Sequence, residues 1–236
     1  VAAANNYGYT FNTADATRYD FSTFPANTLS DKTYTIEAVV KIDPGTTNTY
    51  QTIFRADSGT NSIILRVQGG SLGSAGKVEV FLQGNSGTGI NGYSTHRIDD
   101  GAYHHIALLA YSTAWELYVD GFQHASGSYP AGTLNMDQAG TRYISNAPGE
   151  ISNKMTIDEL IIHNQSLSLT QIYNNSRAIV PTIAELAHIA GHTGTKPSIF
   201  YRSDETVNTT KLYNTGTTST TSSCLLYTSD AADDTP

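Results

Sequence analysis

GAYHHIALLAYSTAWELYVDG, residues 101–121, is the stretch that decides the fold. Its first half carries the apolar run Tyr103 to Ala110, the length of one strand. In its second half Trp115, Leu117 and Val119 alternate with Glu116 and Tyr118. A period of two places alternate side chains on opposite faces of a half-buried strand. Asp120-Gly121 follows at once. Such a pair closes a tight β-hairpin, because glycine tolerates the positive φ the turn needs.

The same signature recurs on both sides of this segment. In TYTIEAVVKI, Tyr34, Ile36, Ala38, Val40 and Ile42 share one face, while Thr33, Thr35, Glu37 and Lys41 share the other. Val39 is the exception. Further strands are expected at Thr52 to Ala56, Ile63 to Val67, Lys77 to Leu82 and Met155 to His163. Between them lie turn clusters rich in Gly, Asn, Asp and Pro, including PGTTN, GGSLGSAG, NAPGE and a long GNSGTGINGY loop. Seven strands without alternating helices predict an all-β, antiparallel two-sheet sandwich. Two short helices are expected after the last strand. Ser168 and Gln171 form a capping box for the first, over 168–175. The second runs from Pro181 to Ala190 and stops at Gly191.

Composition agrees with this reading and narrows the partners. Only 14% of residues are charged, and the formal net charge is −8, so neither nucleic acid nor insertion into an anionic membrane is the expected partner. No apolar run reaches the length of a membrane helix. The chain opens at Val1 and reads as a fragment or a mature form. Its one cysteine, Cys224, begins CLLYTSDAAD, which is the in-order translation of a transposon-end sequencing adapter. Residues 224–236 are therefore expected to be adapter-derived, from a metagenomic reading frame cut short. Setting them aside removes Asp230, Asp233 and Asp234, so the formal charge moves from −8 to −5. It also leaves no thiol for a disulfide or a metal site.

Four segments in fixed order resemble the laminin-G-like, concanavalin A-type jelly roll. They are YTFNTADATRYDF (Tyr9 to Phe21), YTIEAVVKID (Tyr34 to Asp43), the opening stretch Gly101 to Gly121, and IDELIIHNQSLSLTQIYNN (Ile157 to Asn175). The resemblance spans residues 5–176 and departs from the pattern at Asn12, Tyr103 and Ile161, where Asp, Trp and Arg are usual. Ser198 to Thr218 also resembles the stretch that opens such domains. The expected division is a sandwich over 1–177 and an adapter-derived tail over 224–236. Between them, 178–223 is a linker helix with a Thr-rich tail or the start of a second module, as in a tandem array.

Some glycoside hydrolases share this fold, but they need two carboxylates facing across a cleft. Their E-x-D-x-x-E signature is absent, and Glu37, Glu79, Glu116 and Glu159 stand on separate strands. Neither G-x-S-x-G, H-E-x-x-H nor a phosphate loop occurs. No enzymatic activity is expected. His104 and His105 are adjacent on a strand and point to opposite faces, so they cannot chelate one ion together. Asp158 counts onto the face of Leu160 and Ile162, where an inward carboxylate would need hydrogen bonds or a cation. The resemblance implies a structural calcium ion there, completed by main-chain carbonyls of the first strand's loop and by water.

Fifteen tyrosines suggest stacking on sugar rings, although tyrosine is also a favoured strand residue. Trp115 counts inward with Leu117 and Val119, leaving Tyr118, on the opposite face, and Tyr93, in the GNSGTGINGY loop, as candidates for an exposed platform. The expectation is a non-catalytic recognition or adhesion module, carbohydrate-binding, on a larger extracellular, cell-surface or virion protein. Its partner would be a glycan or a cell-surface protein. The alternative is a structural repeat of a phage tail fibre or surface filament, oligomeric and making protein contacts only.

Overall fold

The computed structural model describes residues 9–11, 19–20, 29, 32–44, 50–70, 72–132, 140–145, 155–177, 199–202 and 213–214. The strands are β1 (Tyr9–Phe11), β2 (Tyr19–Asp20), β3 (Tyr34–Ile42), β4 (Tyr50–Ser58), β5 (Asn61–Gln68), β6 (Lys77–Gln83) and β7 (Gly89–Arg97). They continue as β8 (Tyr103–Ala110), β9 (Ala114–Val119), β10 (Phe122–Ser128), β11 (Thr141–Ile144) and β12 (Met155–His163). One helix, α1 (Leu169–Arg177), precedes β13 (Ile199–Arg202) and β14 (Tyr213–Asn214). The expected helix over Pro181 to Ala190, the tail from Cys224, and Asn12 all lie outside the described residues.

The strands form two antiparallel sheets. Sheet A runs β10-β9-β8-β3-β12-β13-β14, with β1 also pairing with β12, and sheet B runs β2-β11-β4-β5-β6-β7. The fold is the expected sandwich, and all seven expected strands are present. Ile36, Ala38, Val40, Ile106, Leu108, Leu117 and Val119 of sheet A meet Phe54, Ile63, Leu65, Val78, Val80 and Leu82 of sheet B in one core. Each Val, Leu, Ile or Phe among them contributes about 1.5–3 kcal/mol by leaving water. Trp115 joins that core, as its register implies.

The hairpin that opened the sequence reading is formed as its residues dictate. Phe122 pairs with Val119, so the loop is Asp120-Gly121 alone, and both residues have positive φ (53° and 82°). Two positive φ values make a type I′ turn, whose twist matches that of the strands it joins. The Asp120 carboxylate accepts the His105 backbone N–H at 3.0 Å and locks the turn to β8.

Sheet A is covered on its outer face as well. Ala107, Leu109 and Tyr118 pack there against Leu167 and Ile172, which carry the start of α1 across the sheet. The capping box starts the helix: Gln171 Oε1 accepts from the Ser168 backbone N–H at 2.8 Å, and Ser168 Oγ accepts from the Gln171 N–H at 3.3 Å. Sheet B carries no such cover among the described elements, so its outer face keeps polar and aromatic side chains.

Candidate functional site

That outer face of sheet B holds a connected constellation. Alternation along β5 turns Ile63, Leu65 and Val67 inward, and so turns Arg66 and Gln68 outward. Register then sets Arg66 opposite Glu79 of β6, Glu79 opposite Tyr93 of β7, and Gln68 opposite Tyr50 of β4. Arg66 grips Glu79 with two parallel bonds, Nε to Oε2 at 2.8 Å and NH2 to Oε1 at 3.1 Å. Gln68 Nε2 adds a third donor to Oε2 at 3.1 Å, while its Oε1 accepts from the Ser74 backbone. The Arg66 guanidinium lies 3.5 Å from the centroid of the Tyr50 ring.

The bidentate pair and the stacked ring fix one another, since a planar guanidinium serves both at once. Glu79 is 2% exposed, which three donors make tolerable. Tyr93 is half-buried, and its hydroxyl pKa is raised by burial and by the charges of Glu79 and Tyr50, against a lowering by Arg66 and a hydrogen bond with Gln68. Tyr93 therefore belongs to this cluster. It sits on β7 and not in a loop, because Gly89–Arg97 forms a full edge strand.

Tyr118 is elsewhere. It does face away from Trp115, but it is only 5% exposed. Its hydroxyl donates to Glu116 Oε2 at 2.8 Å, and burial followed by Glu116 raises its pKa. An exposed platform at Tyr118 is thus corrected: α1 and the segment before it cover that face.

Beneath α1 lies a second polar cluster that sequence reading missed. Glu37, on β3, is 2% exposed. Its Oε1 accepts from His105 Nε2 at 3.1 Å and its Oε2 from His163 Nε2 at 3.0 Å. Asn175 Nδ2 of α1 reaches both oxygens, at 2.9 and 3.1 Å. Burial pushes the carboxyl up, but the two histidines outweigh it and hold Glu37 well below the usual carboxylate range. A small cavity beside it is lined by Ala38, Val39, His105, Glu159, Ile161 and Asn175.

The two adjacent histidines do diverge. His105 points under the helix, whereas His104 bridges Asp120 Oδ2 at 2.8 Å and Asp100 Oδ1 at 3.1 Å. The Asp120 hydrogen bond raises the His104 pKa; burial opposes it and Asp100 adds to it.

Asp158 sits at a β-bulge, the extra residue between Ile157, opposite Val40, and Glu159, opposite Val39. The bulge resets the alternation: Met155 and Ile157 reach the core before it, and Leu160 and Ile162 after it. Asp158 is consequently half-buried and does not share the inward face of Leu160 and Ile162, as simple alternation expects. Its charge bears on Tyr103 of β8, whose pKa rises first by burial and then by Asp158. β1 runs antiparallel beside it with Tyr9 opposite Ile157, which brings the first strand's main chain within one residue of Asp158. Among the described residues no group of three or more His, Cys, Asp or Glu side chains is placed to hold a metal ion. Asp158 belongs to no such group among the described residues.

Among the described residues no helix is long and apolar enough to cross a membrane. The family model of the concanavalin A-like lectin/glucanase superfamily matches residues 15–173. Among curated proteins, none matches the chain in sequence. Solved structures share the fold. An inferred carbohydrate-binding protein from Bacteroides ovatus ATCC 8483 aligns with TM-score 0.58 and 18% identity over 84% of this chain and 53% of its own. The binding domain of Paraclostridial Mosquitocidal Protein 1 gives 0.55 and 11% over 73% and 44%. The botulinum neurotoxin serotype D binding domain gives 0.54 and 13% over 73% and 47%. The chain spans about half the length of these three proteins.

Proposed function

This chain belongs to the concanavalin A-like lectin/glucanase superfamily, and from that premise we propose that it is a non-catalytic recognition module whose outer sheet B face binds a neutral glycan. The observation that carries the reading is the Tyr50–Arg66–Glu79–Gln68–Tyr93 constellation. A sugar ring offers an apolar face and a rim of hydroxyls. Aromatic rings suit the first, and a fixed array of donors and acceptors suits the second. The Arg66 charge is neutralised by Glu79, and the chain is acidic overall, which favours a neutral ligand over an anionic one. Hydrolysis would need a free carboxylate pair. Here Glu79 is tied to Arg66, and Asp57 is tied to Arg55 at 2.6 Å.

The setting that suits this reading is an extracellular, cell-surface or virion protein, with the sandwich as one recognition unit. Calcium at Asp158 is a separate part of the proposal. One carboxylate with main-chain oxygens and water is the hard-oxygen set that Ca²⁺ accepts.

Titration calorimetry of the full chain against a panel of neutral oligosaccharides tests the glycan reading. Binding is expected, with Tyr93→Ala and Arg66→Ala each weakening it about tenfold or more, the loss of about 1.4 kcal/mol. Tyr118→Phe lies on the opposite sheet and should leave affinity unchanged. If no neutral glycan binds, the module makes protein contacts only, as a structural repeat would.

A further inference from the structure

The edge of β12 that faces away from β3 is shared by two strands from distant parts of the chain. Met155 to Ile157 pair with β1, and Glu159 to Ile162 pair with β13 in the register Glu159↔Arg202 to Ile162↔Ile199. The bulge at Asp158 divides the two stretches. β13 is not held by a tight turn. Between Arg177 and Ile199 lie 21 residues. A chain of that length could reach about 70 Å when extended, far beyond the few ångströms a hairpin needs.

We propose that the Glu159–Ile162 edge is a strand-acceptor site, and that in an assembly its occupant is the Ile199–Arg202 strand of a second copy of this chain. Main-chain ladder bonds do not depend on which chain supplies the strand, so the cis register is also the trans register. An unfilled edge presents a row of unpaired N–H and C=O groups and selects for pairing. Cis closure is favoured in dilute solution by the effective concentration of a tethered strand. Raising the protein concentration shifts the balance towards exchange, because pairing in trans is bimolecular and pairing in cis is not. Donor and acceptor are different surfaces, so the contact is heterologous: each copy donates at its carboxyl-terminal side and accepts on its sandwich. Such contacts propagate into open chains unless a rotation closes them. This inference is independent of the glycan reading, which concerns the other sheet.

Cysteine pairing in the full chain tests it, with Cys224→Ser removing the one thiol already in the sequence. Ile161 and Phe200 lie directly opposite in the ladder, a spacing a disulfide can bridge. The double variant Ile161→Cys/Phe200→Cys should oxidise within one chain at low concentration. An equal mixture of the two single variants should give a covalent heterodimer severalfold above either homodimer, with a yield that grows with concentration. Adding Tyr201→Pro to the Phe200→Cys chain, which removes a ladder donor, should abolish it. A double variant that bridges readily, while mixed singles give no more heterodimer than homodimer at any concentration, overturns the exchange. A double variant that does not bridge at all overturns the acceptor site itself.

Discussion

Asn175 of α1 donates to both carboxylate oxygens of Glu37 on β3, at 2.9 and 3.1 Å, and so pins the helix to sheet A through the buried polar cluster beneath it. Losing Asn175 takes one donor from the carboxylate, while losing Glu37 takes the shared acceptor from His105, His163 and Asn175. Asn175→Ala should cost about 2 kcal/mol, the range for hydrogen bonds to a charged group. Glu37→Gln sets an amide N–H₂ against donors that need acceptors and should cost about 3 kcal/mol. Urea unfolding checks both. The midpoint should fall with the slope unchanged, because the same surface is exposed.

The same carboxylate sets the acid side of the stability profile. Glu37 is held below its ordinary pKa in the folded chain, so the unfolded chain binds its proton more readily. Its contribution is fully present above the unfolded value, about 4.3, and is lost as pH falls through the folded one. His104 acts in the opposite sense, since its folded pKa is raised. Its contribution is fully present below about 6.5 and fades as pH rises through the folded value. Melting curves should show Glu37→Gln flattening the acid limb and His104→Gln flattening the decline above about pH 6.5. An unchanged acid limb in Glu37→Gln would show that other carboxylates govern it.

Gly92 of β7 is the floor on which Trp115 rests. A Cβ placed there would lie 1.9 Å from the indole Cη2, so Gly92→Ala forces the ring or the strand to move. Overpacking of this kind costs about 1–3 kcal/mol. Trp115 is the only tryptophan, so its fluorescence reports the displacement directly. A native emission spectrum with an unchanged melt would mean the strand yields freely.

Gly92 also explains why β7 escaped the sequence reading. GINGYSTHR lacks alternating apolar residues because small residues leave room for a large side chain from β9. Where a strand carried its own apolar half, as in β3 or β9, period two was enough. Cover on the second face was legible only indirectly. Ala107 and Leu109 extend apolar character to both faces of β8, which is the mark of a strand buried on both sides. Val39, the one exception in TYTIEAVVKI, is 5% exposed under the same cover. Applied to β9, that signal would have placed Tyr118 beneath the helix. The bulge at Asp158 has no such signature, since one extra residue shifts the face of its neighbours without altering composition. The Glu37 cluster joins residues far apart in sequence and shows only in three dimensions.

The tail is tested by removal. If residues 224–236 derive from an adapter, deleting Cys224 to Pro236 should leave the melting temperature unchanged. A clear loss of stability on truncation would assign those residues a native role.

Calcium at Asp158 gives the most exposed prediction. A half-buried carboxylate at a bulge does not require a cation, so the ion must be detected by linkage and not assumed from burial. A ligand that binds only the folded chain stabilises it by about 2.7 kcal/mol at a hundredfold excess over its dissociation constant. Chelation should therefore lower the melting temperature of the wild type, and added calcium should restore it. Asp158→Ala should melt near the chelated wild type and respond to neither treatment. Magnesium should not substitute, because its rigid octahedral shell is poorly served by one carboxylate and backbone oxygens. If chelator leaves the wild-type melt unmoved while Asp158→Ala still destabilises, Asp158 is a hydrogen-bonded carboxylate that shapes the bulge, and the fold holds no calcium there.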